Sequence, residues 1–197
     1  MKNLKSVIVL CSIILFSRCS AKNGGSSLSY ENVNEFFGSI SYINADVSVN
    51  SVTKNDDILF RLAYTKDETN ENISVIEPTA ISGIKIPLKN GEVCLSENDT
   101  AVASEIETES SVTPVNIVPC IINSLANYIP TDIGSEKIGD TQASVLTYDI
   151  SLDNADYTQR IWLDNSSLSP VKAQTYLDGV CIIECSFNEF TCKQQQN

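Results

Sequence analysis

The side chains that could carry chemistry in this sequence are cysteines and carboxylates, because the chain contains no histidine. Without an imidazole there is no Ser-His-Asp or Cys-His relay, no HExxH zinc site and no side chain with an unperturbed pKa near neutrality. Asp149, Asp153 and Asp156 could supply an acid and base pair for glycan cleavage. Acidic residues in a turn more often cap the backbone or face solvent, so the sequence predicts no catalytic residue.

The cysteines show a spacing that does not favour a structural zinc site. Zinc motifs favour C-x2-C pairs, whereas this chain offers C-x3-C followed by C-x6-C. Cys11 belongs to an N-terminal export segment and Cys19 is a candidate for acylation, which leaves five cysteines, an odd number that cannot all pair within the chain. Disulfides with a leftover thiol and buried free thiols both remain open interpretations. No metal and no cofactor is expected. The cysteines lie at positions 11, 19, 94, 120, 181, 185 and 192.

Residues 1–18 have the order of parts of an export signal, with a basic start, an apolar run at 7–16 and a polar break. The run is about half of what a helix needs to cross a bilayer. Cys19 follows it and resembles the acylated cysteine of bacterial lipoproteins, which makes it the predicted lipid attachment site. Arg18 departs from the small residue that usually precedes that cysteine. Cleavage near Ala21 and an uncleaved signal are the alternatives.

Length and composition predict one folded domain at 28–192, preceded by a flexible Gly/Ser tether at 19–27 and followed by a polar tail at 193–197. The chain carries 25 Asp and Glu against 13 Lys and Arg, a net charge of −12. This charge argues against nucleic acid and anionic membrane surfaces as ligands. The acidic run at 97–109 is predicted to be a solvated loop, with a contact for a basic partner as the alternative.

Two predicted helices and about ten strands must position these residues. Apolar side chains at three-to-four residue spacing predict helices at 29–37 and 115–129. Period-two alternation between turn signals predicts the strands, which follow one another as sequential hairpins. The predicted fold class is therefore α+β, mainly antiparallel β, curved into a half-open barrel covered by two helices. The predicted strands are 39–53, 58–65, 73–77, 83–88, 92–97, 135–139, 143–152, 157–164, 171–178 and 180–192.

Several local phrases of the sequence resemble the LolA-like proteins, which carry outer-membrane lipoproteins. They are YINADV at 42–47, LKNGEV at 88–93, and IWLD at 161–164 followed by SPVK at 169–172 and YLDG at 176–179. The resemblance covers about 28–190. It implies the LolA-like half-open barrel, and as one functional alternative a carrier that holds a lipid or acyl chain in that barrel.

Within that superfamily, the length, signal, acidity and lack of histidine are similar to the spore-germination lipoproteins of clostridia. This similarity implies a non-catalytic lipoprotein anchored between the forespore membranes. Its implied partner is a CwlD-like N-acetylmuramoyl-L-alanine amidase of the cortex, which it binds and activates. A homodimer formed by strand exchange is a second expected partner, with 180–192 as the candidate strand and an ordinary internal strand as the alternative. No partner-binding residue is predicted from the sequence.

Overall fold

A computed structural model describes residues 28–52, 57–89, 92–93, 112–152 and 154–195. The described residues form two α-helices, a short 3-10 turn at Thr79–Ile81 and one ten-stranded antiparallel sheet. In chain order the elements are α1 Tyr30–Gly38, β1 Ile40–Val52, β2 Asp57–Lys66, β3 Glu71–Glu77, β4 Lys85–Lys89, β5 Glu92–Val93, α2 Ile117–Asn127, β6 Asp132–Ile138, β7 Thr141–Leu152, β8 Ala155–Asp164, β9 Pro170–Leu177 and β10 Val180–Gln194.

The sheet consists of two hairpin meanders that meet at a single long ladder. Its strand order is β5-β4-β3-β2-β1-β10-β9-β8-β7-β6. β1 and β10 pair antiparallel from Ile40 opposite Gln194 to Ser51 opposite Ile183. These two strands lie at the centre of the sheet. β5 and β6 stand at the two ends of the strand order, so they are the edges of the described sheet.

Both helices lie against one face of the sheet, which we call the inner face. The burial pattern of β1 identifies this face. Its odd-numbered residues from Ile43 to Val49 are buried, whereas the even-numbered ones are more exposed. The same core contains Val33 and Phe37 of α1 and the apolar stripe of α2. The predicted fold class, a mainly antiparallel half-open barrel covered by two helices, is confirmed.

Local signals explain where the helices begin and end. Ser29 caps α1, its hydroxyl accepting a hydrogen bond from the Asn32 N–H at 3.4 Å. The side chain of Asn34 on α1 then donates to the carbonyls of Ala126 and Tyr128 at 3.1 Å each. These bonds satisfy carbonyls at the end of α2, which otherwise lack partners within the helix. They also fix the two helices to one another.

The turn between β9 and β10 has the conformation that the sequence predicts for its sharpest hairpin signal. Asp178 and Gly179 have φ angles of 51° and 76° between β9 and β10, the positive values that a tight two-residue turn requires. β10 extends to Gln194, and β6 begins at Asp132 rather than at 135. The predicted turns at 54–57 and 89–91 lie partly outside the described residues.

Candidate partner-binding surface

The centre of the outer face carries a satisfied polar network. The Arg61 guanidinium donates to Asp46, with Nε to Oδ1 at 3.1 Å and Nη2 to Oδ2 at 2.8 Å. Asn188, at a bulge in β10, donates to Asp46 Oδ1 at 2.8 Å and to Ser48 Oγ at 3.0 Å. The hydrogen bond from Arg61 lowers the pKa of Asp46 below its ordinary value. These side chains hold three strands together and are occupied with one another.

Trp162 forms a second occupied region of the outer face, close to β6. Only 3% of this residue is exposed, because it packs with Ala143, Val145 and Ile138. Its indole N–H donates to Glu136 Oε2 at 2.9 Å. The cations of Arg160 and Lys172 lie 4.8 and 5.5 Å from the ring centroid, a cation–π geometry.

The candidate carboxylate pair also lies on the outer face. Thr158 Oγ1 donates to Asp149 Oδ1 at 3.1 Å, and Ser151 Oγ donates to Asp156 Oδ1 at 2.5 Å. Both carboxylates are exposed and hydrogen-bonded across the β7–β8 hairpin. Asp153, the third candidate, lies outside the described residues. The two described carboxylates therefore act as cross-strand partners of hydroxyl groups.

The inner face contains a few buried polar groups. The Tyr64 hydroxyl donates to Glu71 Oε1 at 2.7 Å. In contrast, the Tyr148 hydroxyl and Gln159 Oε1 are buried and have no hydrogen-bond partner in the described part of the chain. Burial raises the pKa of both tyrosines above the ordinary value, and the bond to Glu71 adds to the shift at Tyr64.

The cysteines that the structure describes are free thiols. Cys185 is buried in the core, and Cys120, Cys181 and Cys192 are half-buried. Burial raises the pKa of the Cys120 thiol to about 11. Among the described residues, no cluster of three or more cysteines, aspartates and glutamates could hold a metal ion. Cys94 lies outside the described residues.

The region between α2 and β6 differs from these satisfied surfaces. Tyr128, Ile129 and Ile133, which we call the junction patch, are exposed to 39%, 68% and 40%. Tyr128 and Ile129 follow α2, and Ile133 lies at the start of β6. The bond from Asn34 to the Tyr128 carbonyl fixes where the chain leaves α2. The junction patch is thus an apolar surface on a fixed part of the backbone.

Next to the junction patch, β6 presents a backbone edge that no described strand pairs with. In the part of the chain that the structure describes, its single neighbour is β7. Six of its seven residues, from Asp132 to Lys137, are exposed. A strand edge of this kind is a template on which another chain can add a strand. The junction patch and the free edge of β6 together are the candidate partner-binding surface.

Sequence reasoning placed the candidate interacting strand elsewhere. β10, which covers 180–192, pairs with β1 on one side and β9 on the other, so it is an internal strand. The junction patch was missed, although the isoleucines at 129 and 133, on either side of the helix-ending Pro130, were a signal for it. Cys19, the signal at 1–18, the tether and the acidic run at 97–109 lie outside the described residues. No described helix is both long and apolar enough to span a bilayer.

Comparisons with known proteins find similarity at the level of backbone only. No protein-family model and no curated protein matches the chain. An uncharacterized conserved protein from Thermus thermophilus is 8% identical, with 85% of this chain and 87% of that chain covered and a TM-score of 0.49. A LolA superfamily protein from Nitrosomonas europaea is 12% identical, with 86% and 96% covered and a TM-score of 0.43.

A third similar structure is that of the CwlD amidase from Clostridioides difficile in complex with the GerS lipoprotein. The matching chain is 18% identical, with 83% of this chain and 94% of that chain covered and a TM-score of 0.43. At such identities and scores, no functional conclusion follows from these similarities.

Proposed function

We propose that this protein is an exported, non-catalytic lipoprotein that binds and activates a CwlD-like N-acetylmuramoyl-L-alanine amidase. In this proposal it is a counterpart of the GerS lipoprotein and serves cortex modification and germination in a spore-former. The sequence resemblance to clostridial spore-germination lipoproteins suggests the partner. The structural observation that carries the proposal is the free edge of β6 beside the exposed junction patch.

The contrast between the edge and the outer face supports binding at the edge. On the outer face, Arg61 is paired with Asp46 at 2.8 Å and Lys172 with Glu184 at 3.1 Å. A partner that docked there would have to compete with these contacts. At the edge of β6 it would gain backbone hydrogen bonds and cover apolar side chains without breaking any described contact.

The non-catalytic part of the proposal rests on the residues available. The sequence contains no histidine, and Asp149 and Asp156 are hydrogen-bonded to hydroxyl groups on an exposed sheet face. Glycan cleavage by two carboxylates requires one group that remains protonated, which is achieved by burial or by a like charge nearby. The described carboxylate pair is exposed, so its surroundings do not favour that chemistry.

The anchor is proposed to be an acyl chain on Cys19, with 19–27 as the tether. This arrangement would hold the sheet close to a membrane while leaving it free to reorient. Labelling with a palmitate analogue should modify the wild type and not Cys19→Ala. Equal labelling of both proteins would exclude Cys19 as the acceptor.

Amidase activation is tested with purified proteins and cortex peptidoglycan. Cleavage of the muramoyl–alanine amide releases a new α-amino group, which can be counted over time. We expect the amidase with this protein to release more amino groups than the amidase alone, and this protein alone to release none. Equal rates with and without this protein would refute activation, and turnover by this protein alone would refute its non-catalytic role.

The carrier alternative requires an open apolar cleft between the helices and the sheet. In the described chain, Val33 and Phe37 of α1 and Ile121 and Leu125 of α2 are packed into the core. This packing does not favour the carrier. The lipid extracted from gently purified protein, measured by mass spectrometry, tests the alternative directly.

A further inference from the structure

We propose that the partner adds an extended strand to the free edge of β6, with basic side chains towards the outer face and apolar side chains towards the inner face. The proposal rests on the proposed function, which assigns that strand to the amidase. It adds the surface, the backbone pairing and the chemical pattern that the partner segment must have.

The backbone of β6 determines which residues can pair with the added strand. Gly139 and Asp140 form a two-residue turn between Ile138 and Thr141, and the residues that flank such a turn form a hydrogen-bonded pair. Hydrogen-bonded pairs then alternate along an antiparallel ladder. The even-numbered residues of β6 therefore bond to β7.

The odd-numbered residues of β6 point their backbone groups in the opposite direction. Ile133, Ser135 and Lys137 thus present their N–H and C=O groups at the free edge. A hydrogen bond on the other side of β7 supports this assignment. The Asn165 N–H donates to the Gln142 carbonyl at 3.2 Å, so Gln142 points its backbone groups towards β8 and away from β6. Three regularly spaced pairs of donors and acceptors are therefore available for one added strand.

The outer side of this edge is acidic. Asp132 and Glu136 are even-numbered residues that lie opposite Thr147 and Ala143 of β7. Asp149, two residues beyond Thr147 on β7, is the diagonal neighbour of Asp132 on the same face. Glu136 already lies 3.9 Å from Arg160 Nη2, so Lys or Arg on the outer side of an added strand would pair mainly with Asp132 and Asp149. This complementary charge arrangement also increases the rate of association.

The inner side of the edge is apolar where it meets the junction patch. Ile133 lies opposite the buried Leu146 and is itself half-exposed. Tyr128 and Ile129 extend the apolar surface towards α2. An added strand would cover this surface if apolar side chains alternate with its basic ones.

A second copy of this chain fits the edge poorly. A symmetric antiparallel pairing centred on Gly134 would bring Asp132 of each copy opposite Glu136 of the other. A pairing centred on Ser135 would make the two Glu136 side chains diagonal neighbours and would bring Lys137 opposite Ile133. Like charges that face each other across strands are destabilising, and the net charge of −12 adds to the repulsion. These charges favour a basic partner of a different sequence.

The test uses Ser135→Pro with Ser135→Ala as its matched control. Proline removes the outward N–H of residue 135 while the neighbouring bonds to β7 remain, and it is tolerated on edge strands. Alanine keeps that N–H and removes the same hydroxyl, which contacts Gln142 at 2.7 Å. We expect Ser135→Pro to weaken amidase binding about tenfold or more, as expected when backbone pairing is lost, and Ser135→Ala to bind like the wild type. Amide exchange should slow at 132–138 in the wild-type complex.

Charge reversal provides a second variant should Ser135→Pro fail to fold. Asp132→Lys should weaken binding about tenfold and flatten its salt dependence. Glu68→Lys makes the same change of net charge in the exposed β2–β3 turn and should leave binding unchanged. Trp162 is the only tryptophan of the chain and is hydrogen-bonded to Glu136 of β6, so its fluorescence reports both folding and occupation of the edge.

The outcomes separate this proposal from the proposed function. If the amidase binds all variants equally and 132–138 gains no protection, the edge is not the binding surface, although the proposed function stands. If the amidase does not bind the wild type, the proposed function fails. A ten-residue peptide of alternating Lys and Val then tests the edge. Binding that is lost in Ser135→Pro and absent for a Glu and Val peptide supports the edge proposal, and any other result overturns it.

Discussion

Two buried tyrosines predict opposite effects of the same substitution, the removal of one hydroxyl group. Tyr148 is buried, and its hydroxyl has no hydrogen-bond partner among the residues that the structure describes. An unsatisfied buried polar group costs about 1–3 kcal/mol. Tyr148→Phe removes this group and leaves the ring in place, so we expect it to raise the free energy of unfolding by about 1 kcal/mol.

Tyr64 is the matched control, because its hydroxyl donates to Glu71 Oε1 at 2.7 Å. Tyr64→Phe would leave the mostly buried Glu71 carboxylate short of one donor. Hydrogen bonds to charged groups contribute about 1.5–3 kcal/mol, so we expect a loss of about 2 kcal/mol. The two variants should therefore differ by about 3 kcal/mol although their chemical change is identical.

Urea unfolding, followed by the fluorescence of Trp162, measures both values. The denaturant slopes should equal that of the wild type, so that the midpoints report stability alone. A second readout is alkaline pH. The pKa of each tyrosine is raised in the folded state, so the unfolded chain loses its proton first, and the wild type loses stability as the pH rises above about 10. Each variant should lose less. If Tyr148→Phe destabilises as strongly as Tyr64→Phe, the reasoning on the unpaired hydroxyl is wrong.

Three further predictions test the helix contact, the outer-face network and the thiols. Asn34→Ala removes both bonds to the end of α2 and also Asn34 Oδ1, a buried oxygen that has no hydrogen-bond partner among the described residues. These two effects oppose each other, so we expect the free energy of unfolding to fall by about 1 kcal/mol, which thermal unfolding measures. Asp46→Asn should cost up to about 1 kcal/mol at pH 7, because its contact with Arg61 is partly exposed. The pKa of Asp46 is lowered on folding, so this difference should vanish as the pH falls below about 4. Cys185 should resist iodoacetamide at pH 8 in the native protein and react in urea, as mass spectrometry would show.

Much of the fold could be predicted because the alternation of apolar residues directly reports burial. The strand around Val47 and the helical stripe that contains Ile121 are examples in which the pattern and the observed burial agree. Asp178-Gly179 predicted its hairpin, since glycine, asparagine and aspartate are the residues that best tolerate the positive φ angles of that turn. Each of these signals is local.

The arrangement of the strands was less accessible, because alternation identifies the buried face of a strand and not its neighbours. The pairing of β1 with β10 joins residues as distant as Ile40 and Gln194, and no local pattern reports it. The position of the edges follows from that pairing. The sequence could therefore not show that 180–192 is an internal strand of the sheet, or that β6 is an edge strand. Trp162 adds another example, since it is buried on the outer face, where alternation predicts polar residues.

The charges on β6 connect solubility with partner choice. An exposed strand edge beside isoleucines is an aggregation hazard, which proteins reduce by placing charged residues on such edges. Here Asp132 and Glu136 repel a second copy, while Lys137 places a cation on the inner side of the edge. The same carboxylates attract a strand of opposite charge. In a protein with a net charge of −12, this arrangement disfavours pairing of the edge with a second copy. Because Arg160 already lies against Glu136, Asp132 is the carboxylate of this edge at which a basic side chain of the proposed partner would add most.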